Sequence, residues 1–109
     1  MISFIIPVYN KGSILFNTLS SLIKNLHQAR IMDFEIIVVN DGSTDNSFAE
    51  AVRFKKFNGA SQKIKIFYYR KNIGKGFALR FGFKKSVGDT ICFLDGDMDI
   101  DTAQILRAL

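Results

Sequence analysis

The sequence has few of the residues that build disulfide, thiolate or histidine-based sites. Its 109 residues include one cysteine, Cys92, one histidine, His27, and one proline. A single cysteine excludes a disulfide framework and a thiolate metal cluster, and it is typical of a reducing compartment. With one imidazole, no convincing Ser-His-Asp or Cys-His pair can be built. We expect His27 to lie on a helix away from any site, and Cys92 to be inert core.

Long apolar runs are also missing. No run approaches the roughly 18–20 residues of a membrane span, and the first ten residues lack the basic leader of a signal peptide. Apolar residues make up 48% of the chain and charged residues 23%, which is ordinary for a soluble globular protein. We therefore expect one domain over residues 1–109 in the cytoplasm.

Charge is unevenly spread along the chain. The net charge is +5, and residues 53–85 carry eleven Lys and Arg but no Asp or Glu. Such a segment could attract nucleic acid, an anionic membrane surface or a phosphorylated ligand. Solvated helix faces explain much of it more simply. Its aromatic side chains are explained as core and strand residues, so no nucleic-acid partner is expected.

Hydrophobic periodicity divides the chain into alternating strands and helices. Strands are predicted at residues 2–8, 34–40, 63–69 and 90–95; helices are predicted at 12–30, from a Ser43 or Thr44 cap to about 57, and from a 72–76 turn to about 87. Continuous apolar strands between helices are typical of a mainly parallel sheet with helices on both faces, an α/β fold. The third strand alternates in character, and we expect it in a less buried or edge-side position.

A ligand site is predicted at one edge of this sheet. Right-handed crossovers place the carboxyl ends of parallel strands at the same edge, where ligands bind. The segments that follow the predicted strands are residues 7–11, 41–45, 70–76 and 95–101. These are the polar, glycine-bearing and acidic stretches of the chain, and their coincidence predicts the site.

The most informative of these stretches alternates acids at Asp95, Asp97, Asp99 and Asp101. In extended chain such residues lie about 6–7 Å apart on one side, and two carboxylates at about 6 Å repel by near 3 kcal/mol at an effective dielectric of about 20. A divalent cation removes that repulsion, and oxygen ligands favour Mg²⁺ or Mn²⁺. A solvated acidic turn that caps a following helix is the alternative, and spacing alone does not choose.

The sequence pattern alone does not decide the roles of two other stretches. Asp41 precedes Gly42, and the pair favours a simple turn over an acceptor for a nucleotide. The 70–76 stretch (RKNIGKG) matches neither the P-loop nor the dinucleotide fingerprint. It is a predicted helix N-terminus with small residues and cations, which suits an anion.

Taken in order, four blocks resemble the family 2 glycosyltransferases, enzymes of the GT-A nucleotide-sugar fold. The blocks are residues 5–10 (IIPVYN), 38–45 (VVNDGSTD), 72–76 (NIGKG) with Ala78, and 94–97 (LDGD). The resemblance covers nearly the whole chain, and four blocks in order are more specific than any one. The third and fourth blocks look most like the polyprenyl-phosphate sugar synthases. The resemblance implies a Rossmann-like GT-A fold.

The resemblance also implies roles for individual residues. Pro7 and Tyr9 would line the nucleotide pocket, and Asp41 would hydrogen-bond the base or ribose. The stretch that flanks the donor is matched by three side chains: Arg70, Asn72 and Lys75. The Asp-x-Asp motif is matched by Asp95 and Asp97, which would be the catalytic pair that holds Mg²⁺ or Mn²⁺ against the donor diphosphate.

The implied activity is sugar transfer from a nucleotide-diphosphate sugar to a lipid phosphate or saccharide, with inversion, in cell-envelope polysaccharide or glycolipid biosynthesis. Complete domains of this family are much longer, with the acceptor site and any general base beyond the Asp-x-Asp motif. We therefore expect a truncated, donor-binding part, inactive alone, of a protein at the cytoplasmic face of a membrane. An open sheet edge could also pair two copies as a homodimer.

Two other α/β domains remain as alternatives. A non-catalytic nucleotide-binding or regulatory domain would share the nucleotide site without the chemistry. A phospho-receiver-like domain also gathers acids at strand ends, but it needs a lysine after a later strand, and none follows Asp95 in that way.

Overall fold

The computed structural model describes residues 1–59 and 61–95 of the chain. Within these residues four strands alternate with three helices: β1 (Ile2–Val8), α1 (Gly12–Gln28), β2 (Phe34–Asp41), α2 (Ser47–Phe57), β3 (Ile64–Tyr69), α3 (Lys75–Lys85) and β4 (Thr90–Phe93). A 3-10 turn at Ser61–Lys63 precedes β3. The predicted order of elements is confirmed.

The described strands form one parallel sheet in the order β3-β2-β1-β4. All eight residues of the central strand β2 are buried, as expected for a strand covered on both faces. Strand β3 lies at the outside of this sheet, which confirms its predicted edge position. Val8 pairs with Asn40, and Asn40 pairs with Tyr68, so the carboxyl ends of β1, β2 and β3 lie together.

Helices cover both faces of the sheet, as predicted. Alternate strand residues face opposite ways: Phe4, Ile6 and Val38 pack into a core with α1 and α2, whereas Ile5, Ile37 and Val39 pack beneath α3. Helix α3 comes close to the sheet because Gly82 has no side chain; a Cβ there would lie 2.5 Å from Cγ2 of Ile5. None of the helices within the described ranges is long and apolar enough for a bilayer span.

The predicted cap of α2 is wrong. The helix begins at Ser47, and neither Ser43 nor Thr44 caps it. Instead, Ser43 Oγ accepts a hydrogen bond from the Asn10 N–H at 2.9 Å, and the Thr44 N–H donates to Asn10 Oδ1 at 2.8 Å. A hydroxyl in such a turn can cap the next helix or bridge to another loop, and only the packed neighbour decides between them.

A buried polar network surrounds Glu35 near the amino ends of β1 and β2, at the end of the sheet away from the carboxyl ends of the strands. Its side chain accepts hydrogen bonds from Ser3 Oγ at 2.5 Å and the Val87 N–H at 2.7 Å, and it pairs with Lys65 Nζ at 2.7 Å. Burial opposes the charge, but these partners outweigh it and lower the pKa of Glu35. The network ties the connection between α3 and β4 to the central strands.

Candidate functional site

Loops at the carboxyl ends of the strands surround a cavity of about 520 Å³. Its walls come from the ends of β1 and β2 and from the segments that follow β1, β3 and β4. The lining residues are Pro7, Val8, Tyr9, Lys11, Asp41, Asn72, Gly74, Lys75 and Asp95. The structure therefore brings together six of the eight residues to which the resemblance gives a role in the site. Of the other two, Arg70 does not line the cavity, and Asp97 lies outside the described residues.

Pro7 lies in the part of β1 that extends beyond the end of its neighbour β4. The Ile5 carbonyl accepts a hydrogen bond from the Leu94 N–H at 3.0 Å, so the backbone polar groups of Ile5 and Pro7 point towards β4. Strand β4 ends at Phe93, opposite Ile5. Proline has no N–H to donate, and no described strand faces it there. Pro7 therefore lines the cavity without breaking the ladder of the sheet.

Asp41 holds the loop between β3 and α3 in place. Although it lines the cavity, it is 3% exposed. Its carboxylate accepts hydrogen bonds from Asn72 Nδ2 at 2.9 Å, the Ile73 N–H at 3.0 Å and the Gly74 N–H at 2.9 Å. The backbone carbonyl of Asp41 also accepts from Asn72 Nδ2, at 3.1 Å. Asp41 is thus neither a simple turn residue nor an unengaged acceptor, but a clamp between β2 and this loop.

Gly42 allows the clamp to close. Its φ is +67°, a conformation that favours glycine. A Cβ at this position would also lie 2.3 Å from the Asn72 nitrogen and 2.4 Å from the Lys71 carbonyl carbon. The neighbouring loop can therefore approach Asp41 only because residue 42 has no side chain.

Tyr69, the last residue of β3, packs beside the clamp. Its ring meets Phe77 and Phe81 edge-on, with centroids 5.4 and 5.6 Å apart. Its hydroxyl is buried and makes no hydrogen bond within the part of the chain that the structure describes. Burial, and then the nearby Asp41 carboxylate, raise the pKa of Tyr69 far above its usual value. Both effects favour the protonated phenol.

A second set of hydrogen bonds joins the β1–α1 loop to the β2–α2 loop. Asn10 has a φ of +53°, and its side-chain oxygen accepts from the N–H groups of Thr44 and Asp45 at 2.8 and 3.3 Å. Asp45 accepts in return from the Gly12 N–H at 3.0 Å and from Ser47. Burial opposes the charge on Asp45, but these bonds lower its pKa. The two loops that border the cavity are thereby fixed to each other.

Lys75 and Asp95 form an ion pair inside the cavity. The Lys75 Nζ donates to Asp95 Oδ1. Lys75 is the first residue of α3, and Asp95 follows β4, so the pair joins a helix N-terminus to the end of an outer strand. The two side chains are 61% and 40% exposed, which leaves both within reach of solvent and ligands.

Asp95 is the described residue whose chemistry suits a divalent cation. Its carboxylate is open to the cavity, and carboxylate oxygens are the ligands that Mg²⁺ and Mn²⁺ prefer. The oxygens of Asp41, by contrast, are engaged by the clamp. Residues 1–59 and 61–95 contain no group of three or more His, Cys, Asp or Glu side chains that could hold a metal.

The remaining sequence predictions concern residues away from the cavity. His27 is exposed on α1, and Cys92 is buried in β4, where burial raises the pKa of its thiol; both predictions are confirmed. Arg70 is exposed and does not line the cavity. Lys11 lines it without having been predicted as a site residue. Its position in the 7–11 segment after the first strand was the signal for it.

Comparison with known proteins shows the family that the chain resembles. The model for glycosyl transferase family 2 matches residues 3–109. An uncharacterized glycosyltransferase of Rickettsia bellii is 38% identical over 96 residues, which are 88% of this chain and 13% of that protein. The dolichyl-phosphate beta-glucosyltransferase of Drosophila melanogaster is 33% identical over 100 residues, 88% of this chain and 30% of that protein.

The solved structures agree on the fold. The mannosyltransferase PcManGT of Pyrobaculum calidifontis, in complex with GDP-Man and Mn²⁺, superimposes with a TM-score of 0.80 at 19% identity. The match covers 98% of this chain and 30% of that one, so the chain spans less than a third of each of these three proteins. The predicted GT-A fold is confirmed. The family match, which covers nearly all of the sequence, establishes that the chain belongs to glycosyl transferase family 2.

Proposed function

We propose that the protein transfers a sugar from a nucleotide-diphosphate sugar to an acceptor, in a reaction that depends on Mg²⁺ or Mn²⁺. The observation that carries this proposal is the cavity, because separate loops bring Tyr9, Asp41, Lys75 and Asp95 to one place. The glucosyltransferase relative and the neighbour that holds GDP-Man and Mn²⁺ support it.

The nucleotide would lie against the ends of β1 and β2. Tyr9, which is 45% exposed, offers its ring to the base, and Pro7 lies beside it on the same wall. An ionised carboxylate has about four acceptor directions, and the clamp uses three at Asp41. About one direction is left for a base N–H or a ribose hydroxyl, so Asp41 would both hold its loop and contact the nucleotide.

The diphosphate would lie between the start of α3 and the end of β4. A helix N-terminus favours an anion, and Lys75 and Asn72 lie on this side of the cavity. Asp95, with Asp97 as the second predicted ligand, would hold the divalent cation. When bound, such an ion supplies positive charge that stabilises the departing diphosphate. Lys75 would add a second positive charge at the same place.

The transfer itself would be a direct displacement. An acceptor oxygen attacks the anomeric carbon on the face opposite the diphosphate, the bond from that carbon to the diphosphate oxygen breaks, and its electron pair leaves with the diphosphate. The anomeric centre is therefore inverted. The chemistry of the relative favours a polyprenyl phosphate acceptor, which is already anionic and needs little help from a general base. Such an acceptor would bring the protein to the cytoplasmic face of a membrane.

Metal-dependent nucleotide binding tests the proposal. Calorimetric titration of UDP and of GDP with and without Mn²⁺ should show binding by the unaltered protein that requires the metal. Asp95→Asn and Asp97→Asn should each abolish the metal-dependent binding, which is most of the nucleotide affinity. Asp33→Asn is the matched control, since its carboxylate is 83% exposed and pairs with the N-terminus away from the cavity. Equally tight binding without metal would instead indicate a non-catalytic nucleotide-binding domain.

A further inference from the structure

We propose that the Lys75–Asp95 ion pair competes with the divalent cation, and that donor binding resolves the competition by moving Lys75 from the carboxylate to the diphosphate. The inference rests on the proposed function and adds a second state to its site. In one state the lysine neutralises Asp95. In the other, the cation neutralises Asp95 and the lysine neutralises the donor.

The two cations cannot share the carboxylate at low cost. The Lys75 ammonium donates directly to Asp95 Oδ1, and a metal held by the same carboxylate would lie against one of its oxygens as well. Two positive charges would then lie within a few ångströms of each other and repel. One of them must leave, and the ammonium is the one on a flexible four-carbon stem.

The backbone around Lys75 confines this movement to the side chain. The residue before it, Gly74, donates its N–H to Asp41 at 2.9 Å, and the Ala78 N–H donates back to the Gly74 carbonyl at 3.1 Å. These bonds fix the start of α3, whereas the Lys75 side chain is 61% exposed. A change of rotamer is therefore enough to carry the ammonium from Asp95 to an anion at the helix N-terminus.

This exchange of Lys75 between Asp95 and the diphosphate predicts two opposite effects of Lys75→Met, a higher affinity for Mn²⁺ and a lower affinity for nucleotide. Without nucleotide, the variant should bind Mn²⁺ about two- to fivefold tighter, since an exposed ion pair of this kind shifts an equilibrium by about that much. With Mn²⁺ at saturation, it should bind UDP or GDP about tenfold or more weakly, because a charge-assisted contact to the diphosphate is lost. A lysine that only supports the fold would weaken both.

Two further variants separate this pair from charge in general. Lys75→Arg keeps a cation that can pair with Asp95, so its Mn²⁺ affinity should stay close to that of the unaltered protein. Lys71→Met removes the same charge from an exposed lysine that lies in the loop before α3 and does not line the cavity. Its affinity for Mn²⁺ should also change little.

Mn²⁺ binding is measured by titration, with the electron paramagnetic resonance signal of the free ion as the readout. Binding of UDP and GDP is then measured by calorimetric titration at saturating Mn²⁺. Tighter Mn²⁺ binding by Lys75→Met alone, together with weaker nucleotide binding, supports the exchange. Equal or weaker Mn²⁺ binding by Lys75→Met, or equal tightening by Lys71→Met, overturns it. If the unaltered protein shows no metal-dependent nucleotide binding, the proposed function fails and the exchange falls with it.

Discussion

The clamp at Asp41 is the feature whose removal should be felt both in stability and in binding. Asp41→Ala deletes the acceptor of three hydrogen bonds, from Asn72 Nδ2 and the N–H groups of Ile73 and Gly74. A single bond to a charged group contributes about 1.5–3 kcal/mol, and the contributions of one cluster do not simply add. Ile73 is 52% exposed, so water can replace part of the loss.

We therefore expect Asp41→Ala to lower the free energy of unfolding by about 2–3 kcal/mol. Asp41→Asn should lower it by about 1–2 kcal/mol, because the amide keeps one acceptor oxygen of the same size. Urea unfolding measures both values, and an unchanged m value shows that the unfolding remains comparable. Asp33→Ala, at an exposed acid, should stay within about 0.5 kcal/mol of the unaltered protein.

Hydrogen exchange identifies the clamp itself. The amides of Ile73 and Gly74 should be protected in the unaltered protein and exchange faster in both Asp41 variants, while amides of the central strands keep their relative protection. UDP and GDP affinity should fall in parallel, since the loop that positions Lys75 at the start of α3 is released. If Asp41→Ala unfolds at the same urea concentration as the unaltered protein, the three hydrogen bonds do not hold the loop, and the reasoning fails.

Three further substitutions test the neighbouring structure. Gly42→Ala should lower the free energy of unfolding by at least about 2 kcal/mol, because residue 42 has a positive φ and a Cβ there would contact the neighbouring backbone. Gly59→Ala is the control, since a Cβ at residue 59 meets nothing within 4 Å. It should be nearly neutral in the same urea assay. Tyr69→Phe should leave stability unchanged or raise it by up to about 1 kcal/mol, because the buried hydroxyl has no described partner; a clear loss would mean that the hydroxyl bonds Asp41 in solution. The folded state lowers the pKa of Glu35 below its ordinary value of 4.5. Between the folded pKa and pH 4.5 the unfolded state therefore binds more protons than the folded state. The stability that Glu35 supplies is present above pH 4.5 and is lost as the pH falls through the folded pKa. Glu35→Gln should therefore flatten the acid limb of a plot of the unfolding midpoint against pH; an unchanged slope would contradict this.

Much of the fold is determined by local pattern. The continuous apolar run at 34–40 and the three-and-four spacing in α1 predict the elements because burial of one face depends on residues that are near in sequence. The parallel arrangement follows from strands that alternate with helices. The location of the site follows in turn, since the carboxyl ends of such strands share one edge. Of the described residues to which the resemblance gives a role, six line one cavity and Arg70 does not.

The sequence by itself does not determine which groups these residues bind. Asp41 meets residues 72–74 because β3 lies beside β2, and Lys75 meets Asp95 because β4 lies on the far side of β1. The bond between Asn10 and Thr44 spans 34 positions, and it uses the turn that local spacing assigns to a helix cap. A polar side chain can satisfy its hydrogen bonds in several ways, so its partner depends on which strands pack side by side. Hydrophobic periodicity therefore decided the elements and the position of the cavity, while strand order decided its contacts, because only the packed chain brings distant polar groups within bonding distance.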